Sequence, residues 1–301
     1  KDAYIAIRGV DVTLCLNGKT ISYGNNTNSN YVIEVNYDNN KDQNAGHLTL
    51  TDCSTDPNKL GTISGGSQKA VLVGGGSTLD MYGGTITSSS GYGVNVNSSG
   101  DDNNKTTFNM YGGTIADSKS YGVLIDGGTA AKFTMSGGTI SKNTGSGVCV
   151  QGGTFEMSGG EIRDNTADRN GGGVYMSRGT FTMKDGATIT GNAAGTNGGG
   201  VYVGDGTFTM EGGTISSNTT GTGNSYGGGV CMTAGAFTMT DGKITGNTAS
   251  TDGGGVCVQG GTFEMSGGEI TNNKATDSGG GVYVGGSMTV SGTVKITDNY
   301  K

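Results

Sequence analysis

The densest group of charged side chains in this sequence contains the residue types that acid–base catalysis requires. Glu161 and Arg163 project from the same side of an extended segment because side chains alternate along it, and Asp164 follows directly. A basic residue that abstracts a proton, set beside carboxylates, is typical of enzymes that cleave polysaccharides by elimination. Carboxylates and an arginine on one strand also form ordinary surface ion pairs, which contribute little to stability. We therefore expect no catalytic site, and these three residues are the candidates if the chain is a lyase or hydrolase.

Six tyrosines recur at matching positions of neighbouring sequence segments. Tyr82 and Tyr111 share a glycine-flanked turn. Tyr92 and Tyr121 share the position just before an apolar strand, and Tyr175 and Tyr202 lie in the middle of such strands. A tyrosine ring has an apolar body and a polar tip, so it stacks well on a sugar ring. These positions predict a glycan-binding face. The alternative is tyrosine that only fills turns.

An acidic loop near the start of the chain begins like a calcium-binding loop. Asp38, Asn40 and Asp42 alternate as the first three ligands of an EF-hand loop do. The pattern then stops, because Gln43 replaces the required glycine and Thr49 replaces the bidentate glutamate. The sequence therefore predicts no metal site and no cofactor, with adventitious calcium at this loop as the alternative.

A largely apolar column occupies the middle position of short V-x-V segments. Strand alternation directs this column away from the core, toward solvent. Either neighbouring repeats shield it by stacking, or it docks a partner, including self-association along this stripe of Tyr and Cys. Its members are Leu72, Asn95, Leu124, Cys149, Tyr175, Tyr202, Cys231, Cys257 and Tyr283.

The five cysteines are odd in number and form no CxxC pair, which argues against a zinc site or a dense disulfide framework. Cys231 and Cys257 occupy the same position of adjacent repeats. Their Cβ atoms would point side by side from parallel strands, a poor geometry for a disulfide, so we expect free thiols.

A sequence repeat positions all of these residues. The unit GVCVQGGTFEMSGGEI occurs at residues 147–162 and again at 255–270, and diverged copies fill the chain. After a first gap of 42 residues, the isoleucine that ends each unit recurs every 22 to 29 residues, as in a solenoid. Each unit has three short alternating segments separated by glycine turns, which predict three strands per coil. The predicted fold is all-β, a single right-handed three-sided parallel β-helix of about ten or eleven coils.

An asparagine follows the isoleucine by three residues in seven consecutive repeats. Asparagine tolerates left-handed backbone at turns, and amides stacked at one position can bond from coil to coil. We predict a structural ladder here, in preference to a row of catalytic or binding amides. Its members are Asn143, Asn165, Asn192, Asn218, Asn247, Asn273 and Asn299.

Composition limits the classes of function. Glycine accounts for 63 of 301 residues and proline for one, which excludes helix-rich and disordered chains. A net charge of −7 with scattered basic residues argues against nucleic-acid binding, and no apolar run is long enough to span a membrane. Residues 1–60 are expected to form the first coil and an N-terminal cap region with an Asn-rich insertion at 22–46. Residues 61–301 are expected to form the regular repeats.

The repeat also resembles those of bacterial surface proteins. GGGVYV at 198–203 and the IxxN pattern of Ile162 to Asn165 resemble the GGA[ILV] and FxxN repeats of chlamydial polymorphic outer-membrane proteins, with Ile in place of Phe. LCLNGKTIS at 14–22 and TFTMEGGTISSN at 207–218 are similar to repeats of large surface adhesins of anaerobic gut bacteria. The resemblance covers roughly residues 60–301. It implies an extracellular or bacterial cell-surface adhesion or display module without catalysis, whose partner is a glycan or a surface protein. The alternative function is a carbohydrate-active β-helix.

Overall fold

A computed structural model describes residues 4–23, 30–36, 45–56, 58–88, 90–98 and 105–301. These residues form three sheets, of 11, 20 and 5 strands. Each coil contains a valine strand, a phenylalanine strand and an isoleucine strand, named after the typical inward residue, and strands of one kind pair in parallel from coil to coil. The predicted all-β parallel β-helix is confirmed.

The first sheet consists of the valine strands. In chain order they are Ile5–Arg8, Ile33–Asn36, Lys69–Gly74, Tyr92–Asn97, Val123–Asp126, Val148–Val150, Val174–Met176, Val201–Val203, Val230–Met232, Val256–Val258 and Val282–Val284. Their side chains alternate between the interior and the outer face of the coil, as in any strand.

The second sheet contains the phenylalanine and isoleucine strands. In two coils one continuous strand supplies both, Thr207–Ser216 and Ala236–Thr245. The other phenylalanine strands are Asp11–Cys15, His47–Thr51, Thr78–Met81, Thr106–Met110, Ala131–Met135, Thr154–Met157, Thr180–Met183, Thr262–Met265 and Ser287–Val290. The other isoleucine strands are Thr20–Tyr23, Thr62–Gly65, Thr85–Thr87, Thr114–Ala116, Thr139–Ser141, Glu161–Arg163, Thr188–Thr190, Glu269–Thr271 and Lys295–Thr297.

The third sheet is short and begins only in the middle of the chain. Its strands are Thr166–Ala167, Ala193–Ala194, Thr219–Thr220, Thr248–Ala249 and Lys274–Ala275. A 3-10 turn at Gly128–Ala130 is the one helical element in the described ranges, and none of their helices is long and apolar enough to cross a membrane.

Identical side chains stack inside the helix. Seven phenylalanine rings form a continuous column with centroids 4.6 to 4.9 Å apart from coil to coil. The valine, methionine and isoleucine columns pair in the same register. Full burial of each such side chain contributes about 1.5–3 kcal/mol, and this holds the coils together. The rings are Phe108, Phe133, Phe155, Phe181, Phe208, Phe237 and Phe263.

A buried asparagine ladder joins the coils at the turn after the isoleucine strand. In a typical rung, Nδ2 of Asn165 donates to Oδ1 of Asn192 at 2.9 Å and to the carbonyl of Ile140 at 3.0 Å. The residue before the rung, Asp164, has a φ of 55°, which turns the chain at this point. The same amide-to-amide bond links Asn143, Asn165, Asn192, Asn218, Asn247, Asn273 and Asn299.

The middle residues of several valine strands are buried on the outer side of the sheet. Leu124 is 5% exposed, and Cys149, Cys231 and Cys257 are fully buried. Preceding glycine-rich segments lie directly on the strands, since a Cβ added to Gly253 would lie 2.6 Å from the Cβ of Cys257. Of the two expected alternatives for this column, shielding applies at these positions, and at Cys231 and Cys257 a preceding glycine turn provides the cover.

The N-terminal coils contain two features that the sequence analysis did not predict. Ile33–Asn36, inside the expected insertion at 22–46, is a regular valine strand that pairs with Ile5–Arg8 and Lys69–Gly74. A disulfide joins Cys15, at the end of one strand, to Cys53, just after the strand paired beside it. The other three cysteines are free and buried, and for Cys231 and Cys257 this agrees with the expectation of free thiols.

The loop between the ladder and the next valine strand changes length along the helix. The loop has four residues in two successive coils, at 119–122 and at 144–147. It has eight residues in the next coil, at 166–173. The third sheet starts at this change, with Thr166–Ala167. A longer loop extends further from the coil than its short neighbours, so the side of the helix has a step at this point.

Candidate functional site

A groove of about 500 Å³ lies at this step. It is lined by three successive loop segments, at 119–121, 144–146 and 167–170. Tyr175, within the strand Val174–Met176, and Gln151, just after the strand Val148–Val150, complete the lining. The groove forms because the short loop of one coil is followed by the long loop of the next. Its volume falls within the range of about 300–1,000 Å³ that is typical of ligand sites.

Two of the six predicted tyrosines, Tyr121 and Tyr175, line the groove. The ring of Tyr121 stacks on Tyr92 with centroids 5.6 Å apart, and that of Tyr175 stacks on Tyr202 at 5.4 Å. The hydroxyl of Tyr202 is hydrogen-bonded to Thr233 at 3.0 Å. Each groove ring is therefore supported by a second ring on an adjacent coil.

Burial favours the protonated form of the two groove tyrosines and of Cys149, which interacts with Tyr121. Desolvation, with the adjacent Cys149, raises the pKa of Tyr121 to about 12. Desolvation likewise raises the pKa of the Cys149 thiol to about 12 and raises the pKa of Tyr175. A nucleophilic cysteine needs a lowered pKa. The two tyrosines are therefore suited to contact a ligand, and Cys149, which is fully buried and does not line the groove, is not suited to attack one.

Charged groups stand at the rim of the groove. Lys119, Asp168 and Arg169 line it and are exposed. Every ion pair found within the described residues involves other side chains, such as Lys132 with Glu156 at 3.1 Å. The rim therefore presents two cations and one carboxylate that a ligand can contact directly.

The predicted charge cluster forms a surface ion-pair group that is not part of the groove lining. Nε of Arg163 lies 3.0 Å from the Glu161 carboxylate, and Nη1 lies 2.6 Å from that of Asp164. These side chains are 38% to 51% exposed, so solvent screens the attraction. None of the three lines the groove. Arg163 is held by two carboxylates, which leaves it poorly suited to abstract a proton.

Tyr82 and Tyr111 form a separate aromatic pair. Their rings stack with centroids 4.7 Å apart, and the side chains are 53% and 46% exposed. They lie at the turn after the phenylalanine strand and not at the groove. The structure thus divides the six tyrosines between this exposed pair and the four that form or support the groove.

The candidate calcium ligands Asp38, Asn40 and Asp42 lie outside the described residues. Among the residues that are described, no group of three or more His, Cys, Asp or Glu side chains is arranged to hold a metal ion. His47, the only histidine, lies in a strand, and its Nε2 is 2.9 Å from Oδ2 of Asp80.

Sequence reasoning missed the polar residues of the groove. Lys119, Gln151, Asp168 and Arg169 carry no motif, and Lys119 lies two coils before the other three. The signal was in the repeat length: Ile140 and Ile162 are separated by 22 residues, the shortest interval, and the next interval is 27. A short coil followed by a longer one indicates a step in a solenoid and hence a concave site.

The chain matches the family model described as a right handed beta helix region over residues 69–240, more than half of its length. It therefore belongs to the right-handed parallel β-helix family, which also confirms the predicted handedness. Comparison with curated proteins and with solved structures finds no match.

Proposed function

We propose that this protein is a secreted or cell-surface adhesion module that binds glycan chains in the groove, without catalysis of its own. The observation that carries the proposal is that Tyr121 and Tyr175 line one groove together with Gln151 and charged rim residues. Sugar rings have apolar C–H faces and hydroxyl edges. They therefore fit a site that combines aromatic rings with amide and charged groups.

The stacked arrangement of the rings also supports binding. Tyr92 and Tyr202 lie against the two groove tyrosines and restrict their side-chain motion. Binding then costs little side-chain entropy, because the rings are already ordered before the ligand arrives. The parallel pairing of the coils holds the strands and loops that carry these residues in register.

The disulfide supports an extracellular or bacterial cell-surface location. Cys15 and Cys53 are bonded to each other, and disulfides persist mainly in oxidising compartments. The resemblance of the repeats to those of bacterial surface adhesins favours the same location. The carbohydrate-active alternative has weaker support, because Glu161 and Asp164 both engage Arg163 and none of the three lines the groove.

A glycan array probed with the full chain, followed by calorimetric titration of the bound oligosaccharides, tests the proposal. We expect Tyr121→Ala and Tyr175→Ala each to weaken binding about tenfold, within the range for an aromatic side chain at the centre of an interface. Tyr283→Ala is the matched control, because Tyr283 occupies the Tyr175 position of a later coil but lies outside the groove. Far-ultraviolet circular dichroism checks that each variant is folded.

Two results would contradict the proposal. One is the absence of any glycan that binds. The other is binding that Tyr82→Ala abolishes while Tyr121→Ala leaves it unchanged, since the site would then be the exposed pair of Tyr82 and Tyr111.

A further inference from the structure

The groove differs from the rest of the molecule in its charge. The whole chain has a net charge of −7, yet the groove lining includes Lys119 and Arg169 against Asp168 as the single carboxylate. Several other basic side chains are neutralised locally, as Arg8 is by Glu34 and Arg163 is by Glu161. Within the described residues, the ion pairs found do not include Lys119 or Arg169.

The two cations stand at different ends of the groove. Lys119 belongs to the loop of one coil, and Arg169 belongs to the loop two coils further on. Neighbouring strands are separated by about 4.8 Å, so the two loops are about 10 Å apart along the helix axis. Tyr121 and Tyr175 lie in the same groove. A short oligosaccharide placed along this axis is therefore long enough to extend from the loop of Lys119 to the loop of Arg169.

We propose that the groove selects glycans that carry an anionic group, a carboxylate or a sulfate, and that Arg169 and Lys119 bind this group while the tyrosines contact the sugar rings. This inference rests on the proposed glycan-binding function and adds the chemical class of the ligand. The planar guanidinium of Arg169 presents paired N–H donors that match the two oxygens of a carboxylate or sulfate. Lys119 supplies a second, more mobile charge for the next sugar.

The other groove residues are compatible with an anion. The phenol of Tyr121 keeps its proton, since burial raises its pKa to about 12, and it does not repel a negative ligand at neutral pH. Asp168 is the one carboxylate that lines the groove, and it directly precedes Arg169 in the chain. Lys119, Arg169 and Asp168 therefore give the groove lining a formal charge of +1.

The test compares charged oligosaccharides with neutral counterparts of the same length. A hexuronic acid oligosaccharide is paired with its carboxyl-reduced form, and a sulfated oligosaccharide is paired with its desulfated form. Calorimetric Kd values for the full chain are measured at low and high sodium chloride concentration. We expect at least one charged form to bind ten times more tightly than its neutral counterpart, with a preference that shrinks as salt screens the charges.

Four variants locate the effect. Arg169→Gln and Lys119→Gln should each reduce the preference for the charged form several-fold, whereas Asp168→Asn should increase it. Arg178→Gln is the matched control, because Arg178 is an exposed arginine outside the groove. A preference confined to the carboxylate pair or to the sulfate pair supports the inference and identifies the anionic group.

The failures of the two proposals are distinguishable. Equal affinity for charged and neutral forms, with binding still dependent on Tyr121, overturns the anion preference and leaves the glycan-binding function. A preference that Arg178→Gln removes, or that survives the Arg169→Gln/Lys119→Gln double variant, also overturns the inference. Absence of binding to every glycan, charged or neutral, overturns the proposed function and the inference together.

Discussion

Oδ1 of Asn218 accepts two hydrogen bonds from Asn192, one from its Nδ2 at 3.0 Å and one from its backbone N–H at 2.9 Å. Nδ2 of Asn218 in turn donates to the carbonyl of Ile189 and to Oδ1 of Asn247, both at 3.0 Å. Asn218 is completely buried, and its amide uses both hydrogens and accepts twice. A fully satisfied amide of this kind stabilises the contact between coils and has no donor free for a ligand.

Replacing this asparagine should therefore destabilise the fold. Asn218→Leu removes the acceptor of the Asn192 backbone N–H and the side-chain donor to the Ile189 carbonyl and to Oδ1 of Asn247, and we expect the free energy of unfolding to fall by about 1–3 kcal/mol. Urea titration measures it, and Thr219→Ala, at the exposed neighbouring position, should change little. Unchanged stability with altered glycan affinity would instead give the ladder a binding role.

The phenylalanine column makes a second stability prediction. The ring of Phe208 is fully buried between Phe181 and Phe237, with centroids at 4.8 and 4.6 Å. Phe208→Ala should cost about 3–5 kcal/mol, because it leaves a cavity in a close-packed stack. Thr209→Ala, on the outer face of the same strand, should cost far less. If urea titrations gave the opposite order, the assignment of inward and outward residues would be wrong.

The inward residues were predictable from the sequence, and the outer surroundings were not. The spacing of Phe208 and Met210 determines which side chains meet inside the coil, because strand alternation is local. Cys257 satisfies the same rule as an outward residue, yet it is buried because Gly253 folds against it. That contact depends on how a turn packs onto a strand, which alternation does not describe.

The groove shows the same limit of prediction from the sequence pattern. The ring pairs were expected from shared repeat positions, and Tyr121 does stack on Tyr92. Tyr121 and Tyr175 occupy different repeat positions, however, and meet in one groove only because the loop at 144–147 is short. Arg169 joins them from the longer loop that follows. Pattern recognition within one repeat does not reveal a site formed by the difference between two repeats.

Cysteine chemistry gives a direct test of burial and of the disulfide. Cys149, Cys231 and Cys257 are free but buried, so the native protein should not react with Ellman's reagent. Denaturation without reductant should expose three thiols, and denaturation with reduction and reductant removal should expose all five cysteines. Five reactive thiols without reduction would contradict the Cys15–Cys53 bond, and rapid reaction of the native protein would contradict the covering of the valine strands.

The raised pKa values predict loss of stability at alkaline pH. Burial raises the pKa of Cys149 from 9.0 to about 12 and that of Tyr121 from 10.0 to about 12. Both groups therefore lose protons more easily in the unfolded chain. Their contribution to the free energy of unfolding is complete below about pH 9 and falls as the pH rises toward 12. The Tm should be constant from pH 7 to 9 and decline above it, and the decline should be shallower in a Tyr121→Phe/Cys149→Ala variant. An equally steep decline in that variant would place the alkaline sensitivity elsewhere.

The final prediction separates binding from catalysis. Arg163 is engaged by Glu161 at 3.0 Å and by Asp164 at 2.6 Å on the surface, and none of the three lines the groove. We expect no shortening of pectate, alginate, glycosaminoglycan or mucin glycan chains by the protein, with or without calcium, as measured by size-exclusion chromatography. Arg163→Ala should bind the groove ligand as the wild type does, because the change affects only a solvent-screened ion pair. An enzyme would behave differently, since removal of one electrostatic stabiliser lowers its rate about a hundredfold or more. Chain shortening that Arg163→Ala abolishes would show that the charge cluster is catalytic and that the adhesion proposal is wrong.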